Sequence, residues 1–293
     1  MTDASSRAES QPSVSVRGPG SFTRLLDPKH FIIILITLVL VVGEAKYSVL
    51  GGYDRLAMTL SVCIATELSF SWFIRGKMPS LQSAYVSGIS LALLTKPQGH
   101  LLWPFALGAF LAIASKYVLQ VHGRHLWNPS NFAISLILLL APGRMSVLSH
   151  QWGNDLVTNA IIWGIGLLVV SQAKVLHVTL TYVACFLALG VIRSQIVGTP
   201  LLPEIAPITG PMYQLFVFFM VTDPRTTVRS AKGRMLVVAL VALLEAAIRL
   251  ASDFHAPIPA ALSASPPILA LAIVGPIAMW FDLRRGAAPS TGG

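Results

Sequence analysis

Ten apolar runs separated by short polar connections make up most of this chain, and they constrain its fold more than any other feature. They lie at 30–50, 56–74, 84–95, 101–121, 130–142, 156–172, 175–193, 211–222, 234–251 and 266–282. A helix advances about 1.5 Å per residue, so about 20 apolar residues cross a bilayer. Most of the runs reach or approach that length. Hydrocarbon cannot satisfy backbone N–H and C=O groups, so such runs are read as helices. The charge content agrees. Only 11% of the 293 residues are Asp, Glu, Lys or Arg, against about 25% in an average soluble domain. So few ionised side chains cannot cover a soluble surface. The expected class is an all-α polytopic membrane protein whose main partner is the lipid bilayer. A soluble enzyme, a disordered chain and a coiled coil are excluded.

The net charge is +9, but the basic residues stand singly or in pairs. Nucleic acid requires a clustered basic footprint, so no nucleic-acid partner is expected. Of the 21 Lys and Arg, 15 fall on the N-terminal side of the ten-segment map and 6 on the other. The positive-inside rule then puts both termini in the cytoplasm, with ten crossings between them. Residues 1–28 read as a polar cytoplasmic tail, 29–286 as one membrane domain and 287–293 as a short C-terminal tail. Glu44 and Lys46 stand where a leader would carry small residues, so the run from Phe31 reads as an uncleaved first helix. Cys63 and Cys185 lie inside apolar runs without a Cys-x-x-Cys, which fits small buried side chains. The histidines show no ligand-like pairing, and no metal is expected.

Two of the runs, 84–95 and 211–222, are too short to cross comfortably. The first ends Leu94-Thr95-Lys96-Pro97 and the second Val221-Thr222-Asp223-Pro224. Each is third in a set of five. The fifth run of each set opens at proline, at Asn128-Pro129 and at Pro266-Pro267. This pattern predicts two repeats, near 30–145 and 150–285. Five is odd, so the second would be inverted in the membrane. Paired short or Pro-interrupted segments in two halves point to a site near the midplane, where broken backbone must find a partner.

The densest polar stretch is Ser115-Lys116-Tyr117, then Arg124-His125-Leu126-Trp127-Asn128-Pro129-Ser130-Asn131-Phe132. Asn before Pro is a helix entry, whose free N–H groups face an anion or a carbonyl. An ordinary capped helix reads the same way. Trp127 and Phe132 add stacking faces, Lys116 and Arg124 positive charge, and Asn131 a second amide. The set suits a planar, electron-rich ring. Asp223 follows Thr222 at the end of the other short run, with Arg225 or Arg229 as its nearest basic partner in sequence. Glu67 lies mid-segment and is the best candidate for a buried carboxylate. Glu44 and Glu245 read as interfacial groups paired with Lys46 and Arg249. Glu67 and Asp223 are the candidates for an ion pathway. No phosphate-binding loop, dinucleotide fingerprint or Ser-His-Asp order is present.

Ser115-Lys116, Asn128-Pro129-Ser130-Asn131-Phe132, and Thr222-Asp223-Pro224 with Gly233-Arg234 resemble the membrane family of the NqrB and RnfD subunits. These belong to the sodium-pumping quinone reductase and the Rnf electron-transport complex. The stretch around Asn128 is most similar to the UnbU-type proteins encoded with enediyne biosynthesis genes. The resemblance covers about residues 30–285. It implies ten helices in two inverted repeats, a bacterial inner-membrane location, redox partner subunits, and a flavin that passes electrons coupled to ion movement. The family attaches FMN covalently to the Thr of a Ser-Gly-Ala-Thr motif. The corresponding stretch here, Gly143 to Thr158, lacks that motif, and Val197-Gly198-Thr199-Pro200 only echoes it. Covalent FMN is therefore not expected. The expectation is a non-covalent flavin (FMN or riboflavin) or a quinone, held by Lys116, Arg124, Trp127, Asn128, Pro129, Asn131, Phe132, Thr222 and Asp223. A channel or transporter on the same inverted-repeat plan is the alternative, and a membrane factor in secondary-metabolite biosynthesis or export is a third reading.

Overall fold

Every one of the ten apolar runs contains a helix. The structure, a computed structural model, describes residues 28–99, 101–147 and 156–287. The two expected tails, 1–28 and 287–293, lie almost wholly outside those residues. The elements are α1 (Pro28–Tyr47), α2 (Tyr53–Phe70, prolonged by a π-type turn over Ser71–Arg75), α3 (Gln82–Leu94), β1 (Thr95–Pro97) and α4 (Trp103–Val118). Then come β2 (Gln120–Val121), β3 (Arg124–His125), α5 (Pro129–Leu140), β4 (Met145–Val147), α6 (Leu156–Gln172) and α7 (Leu176–Val197). The chain continues with α8 (Leu201–Ile205), a tight turn over Ala206–Thr209, and α9 (Pro211–Leu215), prolonged by a π-type turn over Phe216–Met220. It ends with α10 (Ala231–Asp253), α11 (Ala260–Ala264) and α12 (Pro266–Ala287).

Four stretches among the described residues are long and apolar enough to cross a bilayer: Tyr53–Arg75, Leu176–Val197, Ala231–Asp253 and Pro266–Arg284. Shorter apolar helices at Gln82–Leu94, Trp103–Val118, Pro129–Leu140 and Asn159–Gln172 stand beside them. The long helices turn large apolar side chains outward, among them Leu180 and Ile192 on α7, Leu236 and Leu243 on α10, and Ile277 and Phe281 on α12. Water disfavours such faces; hydrocarbon accommodates them. Length and composition therefore place the chain in the class of helical membrane proteins.

The third runs are short because their helices stop early. Thr95 donates its hydroxyl back to the Leu91 carbonyl, and Thr222 donates to that of Phe218. Beyond each threonine the helical ladder has no successor. After α3 the backbone becomes β1, which pairs antiparallel with β4 in the register Thr95↔Val147 and Pro97↔Met145. The pairing satisfies peptide groups that the helix no longer serves. A second two-stranded pair, β2 with β3, turns at His122 and Gly123, both at positive φ. These strands are the departure from an all-helical expectation.

α2 packs against α3 and α4, and α4 against α5. Likewise α7 packs against α10, and α10 against α12. α1 lies on α3 and α6 on α9, while α5 meets α12 and α3 meets α9. Ile89, Leu91, Phe105, Ile113, Ile134, Tyr182, Phe216 and Phe218 are buried at these contacts. One close approach needs glycine. A Cβ on Gly166 would stand 2.4 Å from Cγ of the buried Phe218.

Candidate functional site

The two motifs singled out in the sequence meet. Asn128 caps α5: its Oδ1 accepts from the Asn131 N–H at 3.1 Å. Its Nδ2 donates to Asp223 Oδ2 at 3.0 Å, across 95 residues of chain. Asp223 also accepts from the Arg225 N–H and the Thr226 hydroxyl, both at 3.0 Å. The expected side-chain partner, Arg225 or Arg229, is thus replaced by an amide, a hydroxyl and a backbone N–H. Arg229 goes instead to Asp282, at 3.8 Å.

Beside this junction is a cavity of about 410 Å³. α1, α3, the end of α6 and the 216–220 turn form its apolar walls, including Val39, Leu93, Val170, Phe218 and Phe219. Lys116, His125, Asn128, Thr222, Asp223 and Arg225 bring the polar groups. Pro129, at the first turn of α5, also lines it. Ligand pockets are typically of about this size, mostly apolar with a few placed polar groups. His125 Nδ1 is buried without a hydrogen-bond partner. Burial lowers the affinity of this imidazole for a proton; Lys116 and Arg225 lower it further, and Asp223 opposes them.

Five of the nine predicted ring-binding residues therefore line the cavity: Lys116, Asn128, Pro129, Thr222 and Asp223. Arg124, Trp127, Asn131 and Phe132 do not. Arg124 donates to the Thr227 carbonyl at 3.0 Å and stands 4.0 Å from Asp282. Asn131 donates to the Ile268 carbonyl at 2.9 Å and Trp127 to the Ala272 carbonyl at 2.9 Å. The physical reason for the Trp127 bond is Pro276, which interrupts α12. Proline has no N–H, so the carbonyl four residues earlier, that of Ala272, loses its helical donor. The indole N–H takes its place. Phe132 tilts against Trp127 with ring centroids 5.7 Å apart. Arg124, Trp127 and Asn131 hold the α5 entry to α12 and the 224–227 loop.

Glu67 is buried, and it lies behind the cavity wall. Its Oε1 accepts from Tyr117 at 2.6 Å, and its Oε2 is 3.7 Å from Lys116 Nζ. Lys116 in turn donates to the Ser83 carbonyl at 3.0 Å and the Ser83 hydroxyl at 2.9 Å. Ser83, Ser87 and Ser90 all line the cavity. Sequence reasoning missed them, although their i, i+4, i+7 spacing puts them on one helix face. A second buried cluster had no such signal. Glu245 accepts from Tyr213 at 2.6 Å, from Tyr182, and from Arg249 at 2.8 Å. The Glu245–Arg249 pair is as expected; the tyrosines arrive from α7 and α9. Glu44 accepts from the Leu50 N–H at 2.8 Å. Thr199, the echo of the covalent flavin motif, donates to Glu204 at 2.7 Å and is not among the cavity residues. The stretch between Gly143 and Thr158 lies partly outside the described residues.

Fold and site define a helical membrane protein with a ligand-sized cavity beside an Asn–Asp junction. No protein-family model matches the chain. No curated protein matches it either. The likeness to NqrB and RnfD rests on its motifs alone.

Proposed function

We propose that this chain is an integral membrane electron-transport subunit of the NqrB and RnfD type, binding a flavin or quinone non-covalently. The observation that carries the proposal is the cavity, which gathers Lys116, Asn128, Thr222 and Asp223 from separate parts of the chain. Its volume suits a planar ring. Phe218 and Phe219 supply aromatic walls, and Asn128, Thr222 and Asp223 supply polar groups among the lining. Redox chemistry would belong to the bound ring; Lys116, Asn128, His125 and Asp223 would fix its position and electrostatics. In this reading the protein sits in a bacterial inner membrane with both termini cytoplasmic and passes electrons to partner subunits.

The ten-crossing, inverted-repeat topology belongs to the same proposal. It is supported by the matched packing of α2, α4 and α5 with α7, α10 and α12, and by the matched threonine endings at Thr95 and Thr222. Cysteines placed at Lys96 and at Arg229 are expected to label from opposite sides. Labelling from one side would refute the inversion.

The main test is the visible spectrum of detergent-purified protein, supplied with riboflavin, before and after dithionite, with quinone extraction in parallel. A ring released by acid or solvent, and lost in Asn128→Ala and Asp223→Ala, is expected. One observation favours the transport reading instead: Glu67 Oε2 is buried without a hydrogen bond, close behind a serine-lined wall. Protein that retains no chromophore, yet conducts ions in vesicles with dependence on Glu67, would select it.

A further inference from the structure

We infer that Lys116, acting through the Ser83 hydroxyl, is the proton donor to the ring when an electron arrives, and that Glu67 positions and charge-balances Lys116. This rests on the reading that the cavity holds a redox ring.

The charges around the cavity cancel. Lys116, Asp223 and Arg225 line it, and Glu67 stands 3.7 Å behind Lys116. An electron added to a ring between Phe218, Leu93 and Val170 therefore meets no uncompensated positive charge. An unpaired charge among apolar walls is costly, and neutralisation by a proton relieves it. Arg124, the other positive group expected near the ring, is turned to Thr227 and Asp282.

Geometry selects the donor. A lysine ammonium has three hydrogens and no acceptor. Two go to the Ser83 carbonyl and hydroxyl, and the third faces Glu67. Ser83 Oγ must accept from Lys116, so its own hydrogen is left to donate, and Ser83 lines the cavity. With a ring bound, each electron delivered by a one-electron reductant would be balanced by one proton from the Ser83 O–H. Ser83 Oγ takes a proton from Lys116, leaving a neutral amine beside the Glu67 carboxylate. Lys116 would regain its proton from water. The other charged or titratable groups close to Lys116 are Cys63 from α2, Arg225 and His125, while the Tyr117 hydroxyl is committed to Glu67 beneath the Arg75 guanidinium.

The test uses full-length protein in detergent loaded with riboflavin, titrated with dithionite at several pH values. Wild type is expected to take up one proton per electron. Glu67→Gln leaves Lys116 uncompensated, so the reduced anion is favoured at least tenfold, about 59 mV for a one-electron couple. The proton uptake per electron falls with it, and Glu67→Asp restores both. Lys116→Arg keeps the charge but withholds the proton, so in the riboflavin-bound fraction ring protonation in stopped flow slows at least tenfold. A Glu67→Gln protein with unchanged potential and pH slope, or a Lys116→Arg protein with unchanged protonation rate, overturns the inference while leaving the cofactor reading intact. A protein that binds no riboflavin and carries no quinone overturns both.

Discussion

Trp127→Phe isolates a single hydrogen bond. The ring is kept, its contact with Phe132 is largely kept, and the N–H that serves the Ala272 carbonyl is lost. Pro276 supplies no N–H for that carbonyl, so it is left without a donor inside α12. A buried acceptor without a partner costs about 1–3 kcal/mol. At about 2–4 °C per kcal/mol for a chain of this size, thermal unfolding in detergent should fall by about 4–8 °C for a 2 kcal/mol loss. A double-mutant cycle tests the cause. Pro276→Ala gives Ala272 a helical donor, so Trp127→Phe should cost much less in that background, with a coupling of about 1–2 kcal/mol. Additivity within about 0.5 kcal/mol would refute the argument that proline creates the vacancy the indole fills. Riboflavin binding should survive Trp127→Phe, since the residue does not line the cavity; its loss would return Trp127 to the ring site.

Asn128→Asp keeps a cap for Asn131 but sets a second carboxylate against Asp223; it should unfold at a lower temperature than Asn128→Ser at neutral pH, and the reverse order would count against the Asn–Asp bridge. Gly166→Ala drives a methyl into the Phe218 ring, so a destabilisation of about 1–3 kcal/mol is expected, together with weaker ring binding in a spectroscopic titration. Glu245→Leu strands Arg249 and should cost about 3–5 kcal/mol, read as a loss of folded protein on size-exclusion chromatography. His125 binds its proton less readily when folded than when unfolded. Between its folded value and about 6.5 the unfolded chain holds more protons, so stability is present above about pH 6.5 and lost as pH falls through that window. His125→Gln should flatten thermal stability over this range, and an equally steep profile would refute the assignment.

The helices were legible because their cause is local. An apolar run needs no partner elsewhere to become helical, and Asn128-Pro129 begins α5 wherever α12 happens to lie. The early stops at Thr95 and Thr222 were equally legible, since a proline two residues on and a back-bonding hydroxyl act within one turn. The same reading anticipated that Glu67 would be buried and that Glu245 would pair with Arg249. Which side chains face the cavity was a different matter. Trp127 and Asn131 carry every chemical feature of ring-binding residues, but carbonyls 145 and 137 residues away claim their N–H groups. Pro276 creates one of those vacancies and gives no sign of it at position 127. The serines of α3 could have been placed on one face, but not the face that meets Lys116. The partners of Asp223 and the joining of Tyr182, Tyr213 and Glu245 likewise depend on which helices adjoin. Hydrogen bonding and periodicity along one segment are fixed by neighbours in sequence. The pairing of polar groups across segments is fixed only when packing decides who is near.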